Sequence, residues 1–328
     1  MIPFYDAKSL DRAIKLTINN LVKKKVNYGE DNLAVSRCFE SKWERIWSLQ
    51  LLSNLLQKHG LTDALYKSIG KEFQFYAPKK YGKIDHTLVT GYYEPVLQGS
   101  LTPSARFRFP LYSLPESEEL RTLSRRSIDY ENGLAGKRYE LVWLDSDIDR
   151  FFLHIQGSGV VELENGELLK VGYAGKNSQA YTALGRVLVE RGLLDLASVT
   201  MKSIKATLNN HLEVLPELLS KNESYVYFEV RKQGATGSLG VELTPWRSFA
   251  SDPQTVPIGS IGLIGFGTNV YGIMISQDTG GAIKGSQHID VFTGRGENAG
   301  SHAGQMKELR EVYYLARREC YTFEGGEL

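Results

Sequence analysis

The stretch Gly272–Phe292 reads GIMISQDTGGAIKGSQHIDVF. Two runs of strand character, Gly272–Ser276 and His288–Phe292, are joined by a glycine turn through Gly280, Gly281 and Gly285, with no helix between them. The same texture fills the last hundred residues. We read six short strands there: Tyr225–Val230, Gly240–Leu243, Ile261–Ile264, Gly272–Ser276, His288–Phe292 and Val312–Leu315. Strands linked by turns rather than helices argue for a closed barrel over an open sheet.

Upstream the pattern differs. Leu10, Ile14, Leu21 and Val22 share a helical face with Ser9 as its cap, a second helix spans Ser41 to His59 with Gly60 as its stop, and a third covers Asp63 to Tyr76. Thr87–Tyr93 reads as a strand closed by Glu94-Pro95. The middle of the chain is β first, then α. Tyr139–Leu144 and Phe151–Ile155 read as strands, and Asn165-Gly166 marks a hairpin between Val160–Leu163 and Leu168–Val171. Helices follow at Ala180–Arg191, Val199–Asn209 and Leu212–Leu219. The class is therefore α+β, mainly β with N-terminal helices.

Composition narrows the function. A chain of 328 residues has room for two domains. A net charge of +1 gives no field that would gather nucleic acid or an anionic membrane. Two cysteines, Cys38 and Cys320, are too few for a disulfide framework or a thiolate zinc site, and read as two free thiols or as one disulfide joining the two ends of the chain. The amphipathic, charged N-terminus lacks the pattern of a signal peptide, and no apolar run is long enough to span a bilayer.

The chemistry-bearing residues are sparse. Asp278 closes one strand before a turn whose glycines allow close approach of a ligand. Asp290 lies inside the next strand and points away from its apolar neighbours Ile289 and Val291, toward either solvent or a cleft. Both equally suit solvated or turn-capping roles. Asp252, before Pro253, reads as a turn initiator. His288 shares a face with Asp290, but no His/Asp/Glu cluster of ligand spacing accompanies it, so neither a metal nor a cofactor is expected. Lys284 suits a surface position or a carboxylate partner. Tyr92 and Tyr93, beside Glu94, suit sugar stacking or packing alike. Gly157-Ser158-Gly159 is not a G-x-S-x-G elbow, which leaves serine–histidine catalysis without support.

Taken jointly, several blocks closely resemble the membrane-bound lytic murein transglycosylase A (MltA) family. They are Gly91-Tyr92-Tyr93-Glu94-Pro95, the run Phe152 to Gly159, Val171 to Asn177, Asn222 to Phe228, Leu243 to Ser248, and Asp278 to Gly285 with Asp290 after it. They stand in family order from about Leu88 to Leu315; the first eighty residues match poorly. The resemblance implies a double-psi β-barrel catalytic domain, the three-aspartate (3D) domain, with a second barrel-like β-rich domain inserted into it and a glycan groove between them. The expected boundaries are residues 1–97 with 221–328 for the first and 98–220 for the second. The three aspartates correspond to Asp252, Asp278 and Asp290. Asp290 matches the family's catalytic acid, Asp278 an accompanying catalytic aspartate, and Asp252 a supporting one. Candidates to line the groove are Tyr92, Tyr93, Glu94, Gln156, Ser158 and Lys284.

The implied activity is that of a peptidoglycan lytic exotransglycosylase, a carbon–oxygen lyase acting on polysaccharides. Such an enzyme cleaves the β-1,4 bond between N-acetylmuramic acid and N-acetylglucosamine and leaves a 1,6-anhydro sugar. Ordinary glycosidases need two carboxyls. Here the sugar's own C6 hydroxyl replaces the second, because its tethering gives it a high effective concentration. Asp290 must then be protonated at working pH, raised from about 3.9 by burial or a neighbouring charge. Direct pairing of Lys284 with Asp290 would oppose that. The expected partner is the peptidoglycan glycan strand, with no nucleic acid, in a monomer of the cell envelope (periplasm or outer membrane). Cys38 lacks the apolar run that precedes a lipidated cysteine, so membrane anchoring is not supported by this chain. The competing readings are a non-catalytic glycan-binding barrel and a true hydrolase using water.

Overall fold

Asp6, not Ser9, opens the first helix: its carboxylate accepts the backbone N–H of Lys8 and Ser9, and the Ser9 hydroxyl donates back to the Asp6 carbonyl. The fold is taken from a computed structural model that describes residues 6–23, 41–78, 86–266 and 271–318. Cys38 and Cys320 lie outside the described residues. The chain divides into two compact units, one of Met1–Tyr92, Thr236–Gly294 and Met306–Leu328, the other of Tyr93–Ala235 and Arg295–Gln305. The architecture is mixed α+β, with two sheets.

In the first unit, α1 (Ala7–Lys23), α2 (Lys42–His59) and α3 (Asp63–Glu72) bury Leu10, Ile14, Leu21, Leu49 and Leu52 with Ile261, Ile273 and Ile275 of the sheet. The α2 ends are as expected. Ser41 accepts from Trp43 and Glu44 N–H, and Gly60, at φ 61°, closes the helix onto Leu56. The expected third helix stops early. Phe73–Tyr76 forms strand β1, because alternating Phe-Gln-Phe-Tyr pairs with β14 (Val312–Arg317) and places Phe75 edge-on to Tyr313.

The remaining strands of this sheet are β2 (Thr87–Glu94), β9 (Ser248–Ala250), β10 (Ile261–Gly265), β11 (Tyr271–Asp278), β12 (His288–Arg295) and β13 (Lys307–Arg310). Their order is β1-β14-β10-β11-β9-β12-β2-β13. The short β9 is parallel to β11 and antiparallel to β12. Gly240–Leu243, expected as a strand, forms turns held by a single bridge between Thr236 and Glu242.

The second unit holds β3 (Val96–Ser100), β4 (Phe109–Tyr112), β5 (Glu140–Leu144), β6 (Ser158–Leu163), β7 (Leu168–Lys176) and β8 (Val226–Arg231), in the order β4-β5-β3-β6-β7-β8. β8 was expected among the six C-terminal strands; it pairs instead with β7. The β6–β7 hairpin forms as read, with Gly166 alone of its turn pair at positive φ, 82°. Phe151–Ile155, expected as a strand, belongs to helix α5 (Asp147–Gln156). Ser146 caps it by accepting from Asp149 N–H, Asp147 and Asp149 complement its dipole, and left-handed Gly157 ends it. These local signals outweigh an apolar run whose period is ambiguous.

Helices α4 (Arg125–Tyr130), α6 (Leu184–Glu190), α7 (Met201–Asn209), α8 (Leu215–Ser220) and α9 (Gly296–Gln305) complete this unit. Its core carries buried charges. Arg150 pairs with Asp129 at 2.8 Å and Asp147 at 2.7 Å, and Arg125 reaches both Asp129 and Nδ1 of His154. Burial and the two arginines hold the His154 imidazole well below its ordinary range.

Candidate active site

Two strands on either side of β9 carry the acids. Ala250 of β9 is the register partner of Asp278 on β11 and of Asp290 on β12. The β9–β11 register shifts between Ser276 and Asp278, and it is Tyr92 that links the two acids, donating to Asp278 and lying within reach of the charge of Asp290. The alternation on β12 buries Ile289 and Val291 and turns His288 and Asp290 the other way, as expected.

Asp278 is rich in donors. Its Oδ1 accepts the N–H of Ser238 and of Thr279, both at 2.8 Å, and its Oδ2 accepts the Tyr92 hydroxyl at 2.9 Å. Burial pushes its carboxyl above the usual range, and these donors oppose the rise. Three donors to one carboxylate favour the ionised form. Tyr92 is held in turn by Phe292, with ring centroids 5.3 Å apart. Burial first, then the neighbouring Asp278, hold the Tyr92 phenol well above its ordinary range, so it stays a donor.

Asp290 is poorer in partners. Its Oδ1 accepts the Thr90 hydroxyl at 2.8 Å. Burial pushes its carboxyl up to about 7, Thr90 opposes the rise, and the charge of Asp278 adds to it. The two acids therefore differ by environment: three donors oppose the rise that burial gives Asp278, and a single hydroxyl opposes it at Asp290. His288 touches the same Thr90 hydroxyl through Nε2 at 3.2 Å, and burial holds its imidazole below the usual range.

Asp252 keeps its turn role and acquires a second. Oδ1 accepts Gln254 N–H within its own turn, while Oδ2 accepts Gly285 N–H at 2.9 Å and so ties down the glycine loop between the acids. Lys284 is exposed and forms no ion pair with Asp290 among the described residues. No group of three His, Cys, Asp or Glu side chains able to hold a metal occurs among the described residues.

The other expected site residues lie in the second unit. Tyr93 donates its N–H to Gln156 Oε1 at 3.1 Å, and its ring lies over Gly300, where an added Cβ would stand 2.8 Å from the ring. Glu94 is buried against Arg295. Ser158 opens β6 opposite Gly172. Tyr92 and Tyr93 thus have different tasks despite adjacency, one spent on Asp278 and the other on Gln156 and Gly300. Thr90 escaped the sequence reading. The only signal was alternation, which puts it on the same face of β2 as Tyr92.

Residues 88–229 match the MltA specific insert domain and residues 247–316 the 3D domain. The membrane-bound lytic murein transglycosylase A of Vibrio cholerae is 34% identical over 253 residues, 73% of this chain and 68% of the relative. A crystal structure of E. coli MltA with bound chitohexaose is similar at TM-score 0.76 and 27% identity, covering 93% of this chain and 89% of that one. The membrane-bound lytic murein transglycosylase of Agrobacterium tumefaciens, at 24% identity, shares the fold with TM-score 0.79 over 97% of this chain and 95% of its own. With both domains matched in order and a relative of this identity spanned for more than two thirds of its length, the chain belongs to the membrane-bound lytic murein transglycosylase A family.

Proposed function

We propose that the chain is a peptidoglycan lytic transglycosylase of the bacterial cell envelope in which Asp290 alone serves as acid and base. The observation that carries this reading is the contrast between the two carboxyls. Asp290 is raised to about 7 and has one donor, whereas Asp278 has three. A carboxyl near 7 holds a proton at neutral pH and can take one back.

The bond cleaved is the β-1,4 link between N-acetylmuramic acid and N-acetylglucosamine. Asp290 gives its proton to the glycosidic oxygen as the C1–O bond breaks. The C6 hydroxyl of the muramoyl sugar then attacks C1, and the Asp290 carboxylate takes the hydroxyl proton. The acid is regenerated and no water is consumed. The product ends in a 1,6-anhydromuramoyl residue. A tethered nucleophile can supply several orders of magnitude in effective concentration, which is the part a second carboxylate plays in ordinary glycosidases. Asp278 supports this division because three donors hold its carboxylate in place, two on Oδ1 and one on Oδ2. Burial raises Asp290 most, and the charge of Asp278 adds to that rise. Asp252 shapes the loop, and Tyr93, Gln156, Ser158 and Lys284 are the residues we assign to glycan contact. Glu94 is buried in an ion pair with Arg295.

Digestion of purified murein followed by mass spectrometry of the fragments tests the reading. Anhydro-ended muropeptides support it. Reducing ends mean hydrolysis by water. Sugar binding without any product means a glycan-binding barrel.

A further inference from the structure

The Thr90 hydroxyl meets three atoms: Asp290 Oδ1 at 2.8 Å, His288 Nε2 at 3.2 Å and the Ile289 carbonyl at 3.4 Å. A threonine hydroxyl has one proton to give and two lone pairs to receive with. Ile289 O can only accept, and it is the most distant of the three. If the proton goes to Asp290, the nearest, then His288 Nε2 must be a donor to the hydroxyl oxygen. A neutral imidazole has a single N–H, on one nitrogen or the other. Placed on Nε2, it completes a directed chain from His288 through Thr90 to Asp290. Placed on Nδ1, it makes Nε2 an acceptor that competes for the threonine proton, and Asp290 Oδ1 loses its donor.

The geometry points to Thr90 and His288 as positioning residues for Asp290: His288 Nε2–H donates to Thr90, Thr90 donates to Asp290 Oδ1, and Oδ2 is thereby left as the oxygen that carries the transferred proton. This rests on the reading of Asp290 as the acid/base. In a protonated carboxyl the oxygen that accepts a hydrogen bond is the carbonyl oxygen, and the proton sits on the other one. Oδ2 has no hydrogen-bond partner among the described residues, which leaves it open to a glycosidic oxygen. The other titratable groups bearing on Asp290 are Asp278 and Tyr92, and neither touches Thr90.

The test titrates the Asp290 carboxyl by ¹³C NMR, with Asp290→Asn used to assign the signal, alongside kcat and KM on murein across pH. Thr90→Val keeps the shape and removes the donor. It should raise the Asp290 midpoint by roughly one pH unit, move the alkaline limb of activity up by the same amount, and lower kcat roughly tenfold with little change in KM. Thr90→Ser, which restores a hydroxyl, should recover both. His288→Leu should shift the midpoint in the same direction by less, and His288→Gln, which can donate an amide N–H, should return part of the shift. A folded Thr90→Val enzyme with an unmoved midpoint and unchanged kcat overturns the proposal, as does Thr90→Ser behaving like Thr90→Val. If Thr90→Val does not fold, the serine and His288 variants carry the test, and unaltered midpoints in His288→Leu remove the histidine from the chain. The two claims separate cleanly. An active Asp290→Asn enzyme sinks the acid/base reading, whereas an inert Thr90→Val change with an inactive Asp290→Asn enzyme sinks only the positioning role.

Discussion

Asp278 and Asp290 flank one residue: Ala250 pairs with the first on its parallel side and with the second on its antiparallel side. Two strand spacings, roughly 10 Å of backbone, separate them. The charge of Asp278 adds to the rise that burial gives Asp290, and no hydrogen bond joins the two carboxyls among the described residues. The asymmetry between them comes from what else each touches.

Asp278→Asn removes that charge. The Asp290 carboxyl should then titrate lower, and the alkaline limb of activity should move to lower pH. The displacement should be smaller than the rise caused by burial, which is the larger influence. A pH profile of kcat/KM reads this directly, and its sign is opposite to that expected for Thr90→Val.

Tyr92→Phe leaves Asp278 Oδ2 without its hydroxyl donor. A buried acceptor deprived of its partner costs about 1–3 kcal/mol. Denaturant melts should show that loss, and kcat should fall several-fold while KM changes little, since the Tyr92 hydroxyl faces the acid and not the sugar.

Asp290 should also destabilise the fold as pH rises. Its folded carboxyl titrates near 7 and the unfolded one near 3.9, so the folded state binds more protons between those values. Stability is whole below about pH 4 and declines through pH 7. Asp290→Asn should therefore melt above wild type at pH 8, with the advantage shrinking toward pH 4. A few kcal/mol at most is expected from a rise of about three pH units.

The buried charges of the second unit test stability apart from chemistry. Asp129→Ala strips Arg150 and Arg125 of a shared carboxylate. Removing one member of a buried ion network costs about 3–5 kcal/mol. Thermal denaturation should register that loss, while the titration of Asp290 stays where it was.

Local signals in the chain were informative where they were chemical. Ser41 and Gly60 bound α2 as read, Gly166 turns the β6–β7 hairpin, and the alternation around Asp290 placed it on the face opposite Ile289 and Val291. Long-range pairing was not legible. Nothing in Val226–Arg231 says that its partner is β7 rather than a C-terminal strand, and β9 is three residues long, too short to show a period. Phe151–Ile155 misled because an apolar run suits helix and strand alike until Ser146 and Gly157 are read as caps. Asp290 and Asp278 stood out in the sequence, but not the groups that set their difference. Thr90 is an ordinary strand threonine, and the Ser238 and Thr279 contacts are backbone N–H groups available in any sequence.

The central claim is that one carboxyl performs both proton transfers. Muropeptide mass spectrometry of murein treated with Asp290→Asn, together with a binding measurement on the same glycan strands, tests it most directly. The variant should bind as wild type does and release no anhydro-ended fragments. Anhydro-ended fragments released at the wild-type rate would contradict it.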